Sequence, residues 1–336
     1  MYNIDNNQII VHDLSDFNIK HILECGQVFR YKDMGTHYML FAGENVAYIT
    51  KQMCDSDTKQ QIKIISNNPT FFVNYFDIAK NYGIIKYDLL SLAKDTSLDL
   101  LINAINFGYG IRILKQDLFE TIISFIISAN NHIPRIKSII EKLCVLAGQK
   151  IDVSASLTSH ISAEFGTSIR AETVAETEYT KFKSPTYYYA FPTMQSIASL
   201  SEQQLKDIGA GYRAPYILQT ANTLAVDKTF AYENLNALST KELEKKLMLL
   251  KGVGKKVAHC IMLFGLSRWE VFPTDTHILQ LYKSNFADNS AEKNQHENIK
   301  TTDPNKIEQF FTNKFKQYSG LVQQYLFYYK LMRYKQ

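Results

Sequence analysis

The chain has 336 residues, of which 46% are hydrophobic and 21% charged, with a formal net charge of +4. Its length suits two or three packed units, and its composition is that of an ordinary globular protein rather than a disordered or fibrous one. The apolar runs are too short and interrupted for a membrane helix of about 20 residues, and four scattered cysteines (Cys25, Cys54, Cys144, Cys260) with no CxxC pair offer neither a zinc ribbon nor an iron–sulfur loop.

Cysteine usage fits a reducing compartment. The opening "MYNIDNNQIIVHDLSDF" is polar and acidic, without the basic start and apolar core of a secretory signal. A cytoplasmic location is expected, on the nucleoid in a bacterium or in the nucleus of a eukaryote. Charge is uneven: residues 201–336 carry 19 Lys/Arg against 13 Asp/Glu, and the first 200 carry 18 against 20. A basic C-terminal part is compatible with a polyanionic partner, though surface lysines alone account for it equally well.

In chain order, "NQIIVHD", "QVFRYKD", "HYMLFAGE" and "NVAYITKQ" read as short strands, broken by Gly, Asp and Asn. Their spacers are too short for crossover helices, so the sheet is antiparallel. From about Asn68 the spacing turns helical, as in "TFFVNYFDIAKNYG". "QDLFETIISFIISANNHIPRIKSIIEKLCVLAG" holds a buried helix to about Ala129, opened by an Asp117/Glu120 capping box, and after "SANNHIP" an amphipathic helix through Lys142. Asp152–Lys183 is polar and weakly patterned, and is read as a surface insertion or irregular subregion. "FPTMQSIASLSEQQLKDIGAGYRAPYILQTANTLA" gives two helices around a Gly-rich joint. "STKELEKKLMLL" is a capped amphipathic helix, and "PTDTHILQLYK" starts another on Thr274 or Asp275. "FADNSAEKNQHENIKTTDPNK" reads as a loop before a Tyr/Phe-rich helical end. The resulting class is α+β: an antiparallel-sheet domain over 1–112, then a mainly helical region of two lobes over 113–336.

Between two of these helices lies "LLKGVGKKVAHCIMLFG". Gly252-Val253-Gly254 forms a tight turn, with glycines supplying positive φ and a bare contact face. The N–H groups at the start of the next helix are electropositive and suit a phosphate, a contact that reads no sequence.

This hairpin, followed by "VFPTDTHI", resembles the helix-hairpin-helix plus Gly/Pro/Asp signature of base-excision DNA glycosylases. "CGQVFRY", "SFIISANNHIPRI", "YYAFPTMQSIA", "GAGYRAPY" and "YSGLVQQYLF" are similar, in order, to segments of the 8-oxoguanine DNA glycosylase family. The resemblance spans nearly the whole chain. It implies a glycosylase with strand-nicking lyase activity on damaged double-stranded DNA, acting as a monomer, off the membrane and without a cofactor. It also allows a structural cation at the hairpin carbonyls.

The resemblance makes Lys256 the nucleophile. The positive helix end and the neighbouring Lys255 both favour the neutral amine that forms a Schiff base. Asp275, nineteen residues on, would support the cationic sugar while capping its helix. Cys260 shares a helix face with Lys256 and would pair with it to sense the lesion. Gly26 would accept the lesion's N7–H, Phe327 would stack on the flipped base and Gln323 would read its edge. Asn130, Arg135 and Arg213 match readers of the opposite cytosine, and Tyr212 a wedge. Gly252, Gly254, Lys255 and His277 would hold phosphates.

Ala129, His132, Pro134 and Leu321 depart from the family pattern, which bears on opposite-base selectivity more than on the reaction. The alternatives are a glycosylase for another damaged base and a non-catalytic hairpin DNA-binding protein. The first lacks the iron–sulfur cysteines of one branch and differs by Lys256 from the alkylpurine branch. The second leaves Asp275, Cys260 and the Gln323/Phe327 pair without a role.

Overall fold

The computed structural model describes residues 2–12, 16–51, 61–95, 98–165, 186–286 and 303–333. The chain folds into two compact units built from interleaved segments: Met1–Leu14, Val28–Ala79 and Phe119–Lys228 form unit 1, and Ser15–Gln27, Lys80–Leu118 and Thr229–Gln336 form unit 2. The strands are β1 (Tyr2–Asp5), β2 (Gln8–Val11), β3 (Tyr31–Asp33), β4 (His37–Ala42), β5 (Asn45–Thr50), β6 (Ile62–Ser66), β7 (Lys150–Asp152) and β8 (Tyr187–Tyr189). The first eight helices are α1 (Ile19–Glu24), α2 (Pro69–Tyr75), α3 (Tyr82–Asp95), α4 (Asp99–Phe107), α5 (Leu118–Ser128), α6 (Ile133–Ala147), α7 (Ala155–Phe165) and α8 (Met194–Ala198). The rest are α9 (Glu202–Asp207), α10 (Ala214–Val226), α11 (Tyr232–Asn236), α12 (Thr240–Leu247), α13 (Lys255–Gly265), α14 (Thr276–Phe286), α15 (Pro304–Phe315) and α16 (Ser319–Arg333).

Unit 1 carries a six-stranded sheet in the order β1-β2-β6-β5-β4-β3, every pair antiparallel. The expected sheet is therefore present, with two strands more than the sequence reading placed. Alternation decides its faces. Met39 and Phe41 of β4, Val46 and Tyr48 of β5 and Ile65 of β6 form one cluster with Leu157 and Ile161 of α7 and Tyr188 of β8. The intervening Tyr38, Leu40, Ala47, Ile49 and Ile64 are buried too, so β4 and β5 are covered on both sides.

Several expectations are corrected. Residues 150–165 are not irregular: β7 and α7 lid the sheet, and α7 does so with Leu157 and Ile161, one turn apart, among polar neighbours. The remainder of Asp152–Lys183, residues 166–183, lies outside the described residues, as does most of the proposed loop after Phe286. That loop reading ends early, because α15 starts at Pro304. The Gly-rich joint separates α9 and α10, with the short α8 ahead of them, so the segment holds three helices rather than two. Strand β3 begins only at Tyr31 rather than at Gln27, and Gly26 ahead of it sits at φ +80°. Glu120 turns its carboxylate to the N–H of Gly43 (3.1 Å) and toward Arg30 (3.9 Å).

Unit 2 is helical. Its centre is α16, buried from Ser319 to Leu326, with α4, α14 and α15 packed on it. Helix α13 is buried over Val257–Gly265 and leaves only its first turn accessible. No helix among the described residues is long and apolar enough to cross a membrane.

One buried polar group in unit 1 gives a pH test. His37 is 2% exposed and stacks on Phe165 at 4.1 Å. Its Nδ1 meets Thr36 Oγ1 at 2.9 Å, while Nε2 has no partner. Burial, helped by the Lys51 charge, pushes its pKa down to about 4. The unfolded chain binds this proton below about pH 6.5 and the folded one only near 4, so stability falls as pH drops through that window, by about 3 kcal/mol at most. Thermal midpoints measured from pH 7 to 4 should decline in the native chain, and His37→Leu should flatten that decline.

Candidate active site

Helix α12 opens with a complete capping box. The N–H of Ser239 donates to Glu242 Oε2 at 3.0 Å, and Ser239 Oγ accepts from the N–H of Glu242 at 3.4 Å. The turn out of α12 uses one left-handed glycine, Gly252, at φ +81°. Gly254 is different from expectation: it is the N-cap of α13 at φ −88° and ψ 177°, a conformation open to any residue. A Cβ there would meet nothing within 4 Å. The fold itself does not demand this glycine, and no side chain caps the first-turn N–H groups of α13. A bare Cα beside uncapped, electropositive N–H groups suits an anion approaching from outside.

The first two residues of α13 diverge. Lys255 turns to α15, where Nζ lies 2.9 Å from Glu308 Oε2 and donates to Asn305 Oδ1 at 2.8 Å. Lys256 turns to the thiol of Cys260, one helical turn on, and hydrogen-bonds it. Cys260 is 4% exposed. Burial raises its thiol above the ordinary value, the charge and hydrogen bond of Lys256 pull it down, and the Asp275 carboxylate pushes it up again. Burial wins, so the thiol is the neutral form at pH 7. Lys256, Cys260 and Asp275 thus share one electrostatic neighbourhood.

Of the two candidate caps for α14, Asp275 serves. Its Oδ1 accepts from the N–H of Ile278 (2.9 Å) and its backbone O from the N–H of Leu279 (2.9 Å). His277, in the first turn, packs edge-on to the Phe327 ring at 5.5 Å between centroids. Phe327 lies over Gly26: a Cβ on Gly26 would stand 2.7 Å from Phe327 Cε1. Gly26 also has φ +80°, so both conformation and space require glycine. Gln323, one turn before Phe327 on α16, is 3% exposed and accepts from Gln324 Nε2 at 2.8 Å. The structure therefore brings Gly26, Phe327 and His277 together, and places Lys256, Cys260 and Asp275 together in the same unit.

One residue of this site escaped the sequence reading. Gln27 is fully buried, and its Nε2 donates to the carbonyls of Ile22 (3.0 Å) and Arg112 (2.8 Å). Its Oε1 accepts from the N–H of Leu114 (2.9 Å), and its own carbonyl accepts from Gln116 Nε2 (2.7 Å). This side chain pins the Gly26 segment to residues 112–116. The available signal was a glutamine directly after the glycine of "CGQ".

Unit 1 gathers the other candidates at the joints α5/α6 and α9/α10. Asn130 is exposed and left-handed at φ +49°, a conformation asparagine tolerates. Arg213, matched by resemblance to a reader of the opposite cytosine, is 4% exposed. Its Nε donates to the carbonyl of Ala129 (2.8 Å) and its Nη2 to that of Asn130 (2.8 Å). Tyr212 OH donates to Ala129 O at 3.2 Å, and the ring stays 54% exposed. Arg135 is exposed, with Nη2 donating to Gly209 O at 3.4 Å. His132 caps α6 by accepting from the N–H of Arg135 at 3.4 Å, and Pro134 sits in the first turn, where its missing N–H costs nothing. Both departures are thus accommodated locally.

The family model of the 8-oxoguanine DNA glycosylase N-terminal domain matches residues 9–122, and that of the HhH-GPD superfamily base excision DNA repair protein matches residues 123–304. The chain is 32% identical over 204 residues to the N-glycosylase/DNA lyase of Saccharomyces cerevisiae, covering 57% of this chain and 46% of the relative. It is 30% identical over 223 residues to the N-glycosylase/DNA lyase OGG1 of Arabidopsis thaliana, covering 65% and 51%. It thus spans about half the length of these curated relatives. Among solved structures, the Clostridium acetobutylicum 8-oxoguanine glycosylase/lyase, in complex with double-stranded DNA containing cytosine opposite 8-oxoG, superposes with a TM-score of 0.75. It is 30% identical, over 98% of this chain and 97% of that one.

The two glycines should behave oppositely. Gly26→Ala forces a left-handed alanine against Phe327 and should cost about 2 kcal/mol of stability. Gly254→Ala should leave the thermal midpoint within a degree of the native one. Equal midpoints for the two variants would refute the steric account of Gly26.

Proposed function

Because the chain belongs to the HhH-GPD superfamily of base excision DNA repair proteins, we propose that it is a bifunctional DNA glycosylase and abasic-site lyase that removes 8-oxoguanine opposite cytosine from duplex DNA. The observation that carries this reading is the lysine at an uncapped helix start, hydrogen-bonded to a buried thiol within the field of a helix-capping carboxylate.

The chemistry follows from those groups. The open N-terminus of α13, with Gly252 and Gly254, takes a backbone phosphate and so presents one nucleotide's sugar to Lys256. The flipped base stacks on Phe327, offers its N7–H to the Gly26 carbonyl and its edge to Gln323. As the glycosidic bond breaks, positive charge on the sugar is met by the Asp275 carboxylate, which a backbone N–H holds in place. The Lys256 amine bonds to C1′ as the C1′–base bond breaks and the base leaves with a proton; the C1′–O4′ bond then opens, O4′ taking a proton as the nitrogen gives one up, and the imine remains. The imine acidifies C2′–H; losing that proton expels the 3′ phosphate and nicks the strand. His277 holds a phosphate beside the flipped nucleotide. Asn130, Arg135 and Arg213 receive the orphaned cytosine and Tyr212 fills the gap. Damaged duplex DNA is then the partner, bound by a monomer wherever the genome lies.

Incubation with a duplex containing 8-oxoguanine opposite cytosine, followed by borohydride, should trap a covalent protein–DNA complex. Lys256→Gln should lose trapping by at least a thousandfold while still binding the duplex. Absence of any trapped complex with the intact chain would sink the lyase mechanism, and a panel of lesions and opposite bases would rank the substrates.

A further inference from the structure

Helix α13 carries a second polar network on the side away from Cys260. His259 is 2% exposed and lies between two carboxylates. Glu244 Oε2 of α12 meets its Nε2 at 2.5 Å, and Glu308 Oε2 of α15 lies 3.8 Å from its Nδ1. Glu308 in turn pairs with Lys255 at 2.9 Å, and Asn305 takes a second bond from the same ammonium. The ligand atoms of Glu244, His259 and Glu308 all fall within 4.8 Å. The carboxylates nonetheless face opposite nitrogens of one ring, so a single ion cannot use the ring and both acids at once. The geometry is that of an ion-pair chain, Glu244–His259–Glu308–Lys255, across three helices.

Resting on the reading of Lys256 as the nucleophile, we propose that Glu308, seated on His259 and Glu244, is a positioning residue that holds Lys255 off the DNA and cancels its charge beside the reacting amine. An unpaired Lys255 would present a full positive charge one residue from Lys256, and would compete with the hairpin N–H groups for phosphate. With Glu308 in place the pair is close to neutral at a distance, because opposite charges 2.9 Å apart leave only a dipole. The remaining titratable groups around the start of α13 are Cys260 on the helix itself, Asp275 and His277 at the start of α14, and Glu244 on α12. Each is unchanged in the variants below.

The test is the pH dependence of imine trapping on a duplex with a single abasic site, in the full chain at low salt. Glu308→Gln exposes the Lys255 charge, which disfavours the ammonium form of a neighbour, so the acid limb of trapping should move down by about half a pH unit. Lys255→Met leaves Glu308 uncompensated and should move the limb up by a similar amount. The double variant removes a near-neutral pair and should return the limb to within about 0.2 units of the native position. Both single shifts should shrink in high salt, since half-exposed charges are screened. A purely structural role gives no opposed shifts and no cancellation. Coincident limbs, or single variants that shift the same way while melting normally, overturn the proposal. If the native chain traps no imine at any pH, the functional reading falls and takes this inference with it; if it traps and the limbs coincide, only this inference falls.

Discussion

The hydrogen bond between Lys256 and the Cys260 thiol sits where a buried helix meets an open one-turn end. Everything else in unit 2 supports that junction. From Val257 onward α13 is enclosed, so its axis cannot drift. Its first turn stays uncovered, as the proposed roles of its N–H groups as an anion site and of Lys256 as the nucleophile require. A helix buried along its length and bare at its start is the solution. The cost is a polar amine beside apolar neighbours, and the thiol is a modest partner for it. A carboxylate in place of Cys260 would bind the ammonium firmly and hold the amine out of reaction. A buried thiol kept neutral makes a weak, easily released contact.

The lesion side of the site depends on a different constraint. Gly26 breaks strand geometry ahead of β3, and the backbone it exposes has no ladder partner of its own kind. Gln27 replaces that ladder with three hydrogen bonds from one buried side chain and a fourth accepted by its own carbonyl. Buried amides with all their capacity used are rigid, because any movement strands a donor or acceptor in an apolar setting. In the proposed reaction the bare glycine leaves room for a base edge, and its neighbour fixes the position of the carbonyl that would read it.

Local signals were the ones legible in the sequence. The hairpin, the cap at Asp275 and the i, i+4 relation of Lys256 to Cys260 all lie within a few residues, where turn and helix rules act. The pairing of Lys255 with Glu308 joins positions 53 residues apart, with a whole helix and a polar stretch between them, and His259 looked like any histidine on an apolar helix. Helix α7 was missed because Leu157, Ile161 and Phe165, one turn apart among small and polar residues, suffice once a sheet face is there to receive them. Strand β6, "IKIIS", alternates well enough to have been read, but follows a polar stretch that hid it.

The sequence resemblance places Arg213 among readers of the opposite cytosine, at a joint where side chains would project outward. The fold instead buries it and uses its donors on the carbonyls of Ala129 and Asn130. Those carbonyls are free because Asn130 is left-handed and the helical ladder of α5 has ended there. The turn and the arginine support each other: without the guanidinium the Asn130 carbonyl loses this donor and the Ala129 carbonyl keeps only Tyr212, and without the turn the guanidinium loses both acceptors. Asn130 and Arg135 are then the exposed members of the group, presented on a turn that Arg213 makes rigid. The proposed reading of a partner base would draw on that rigidity as much as on the donors that reach it.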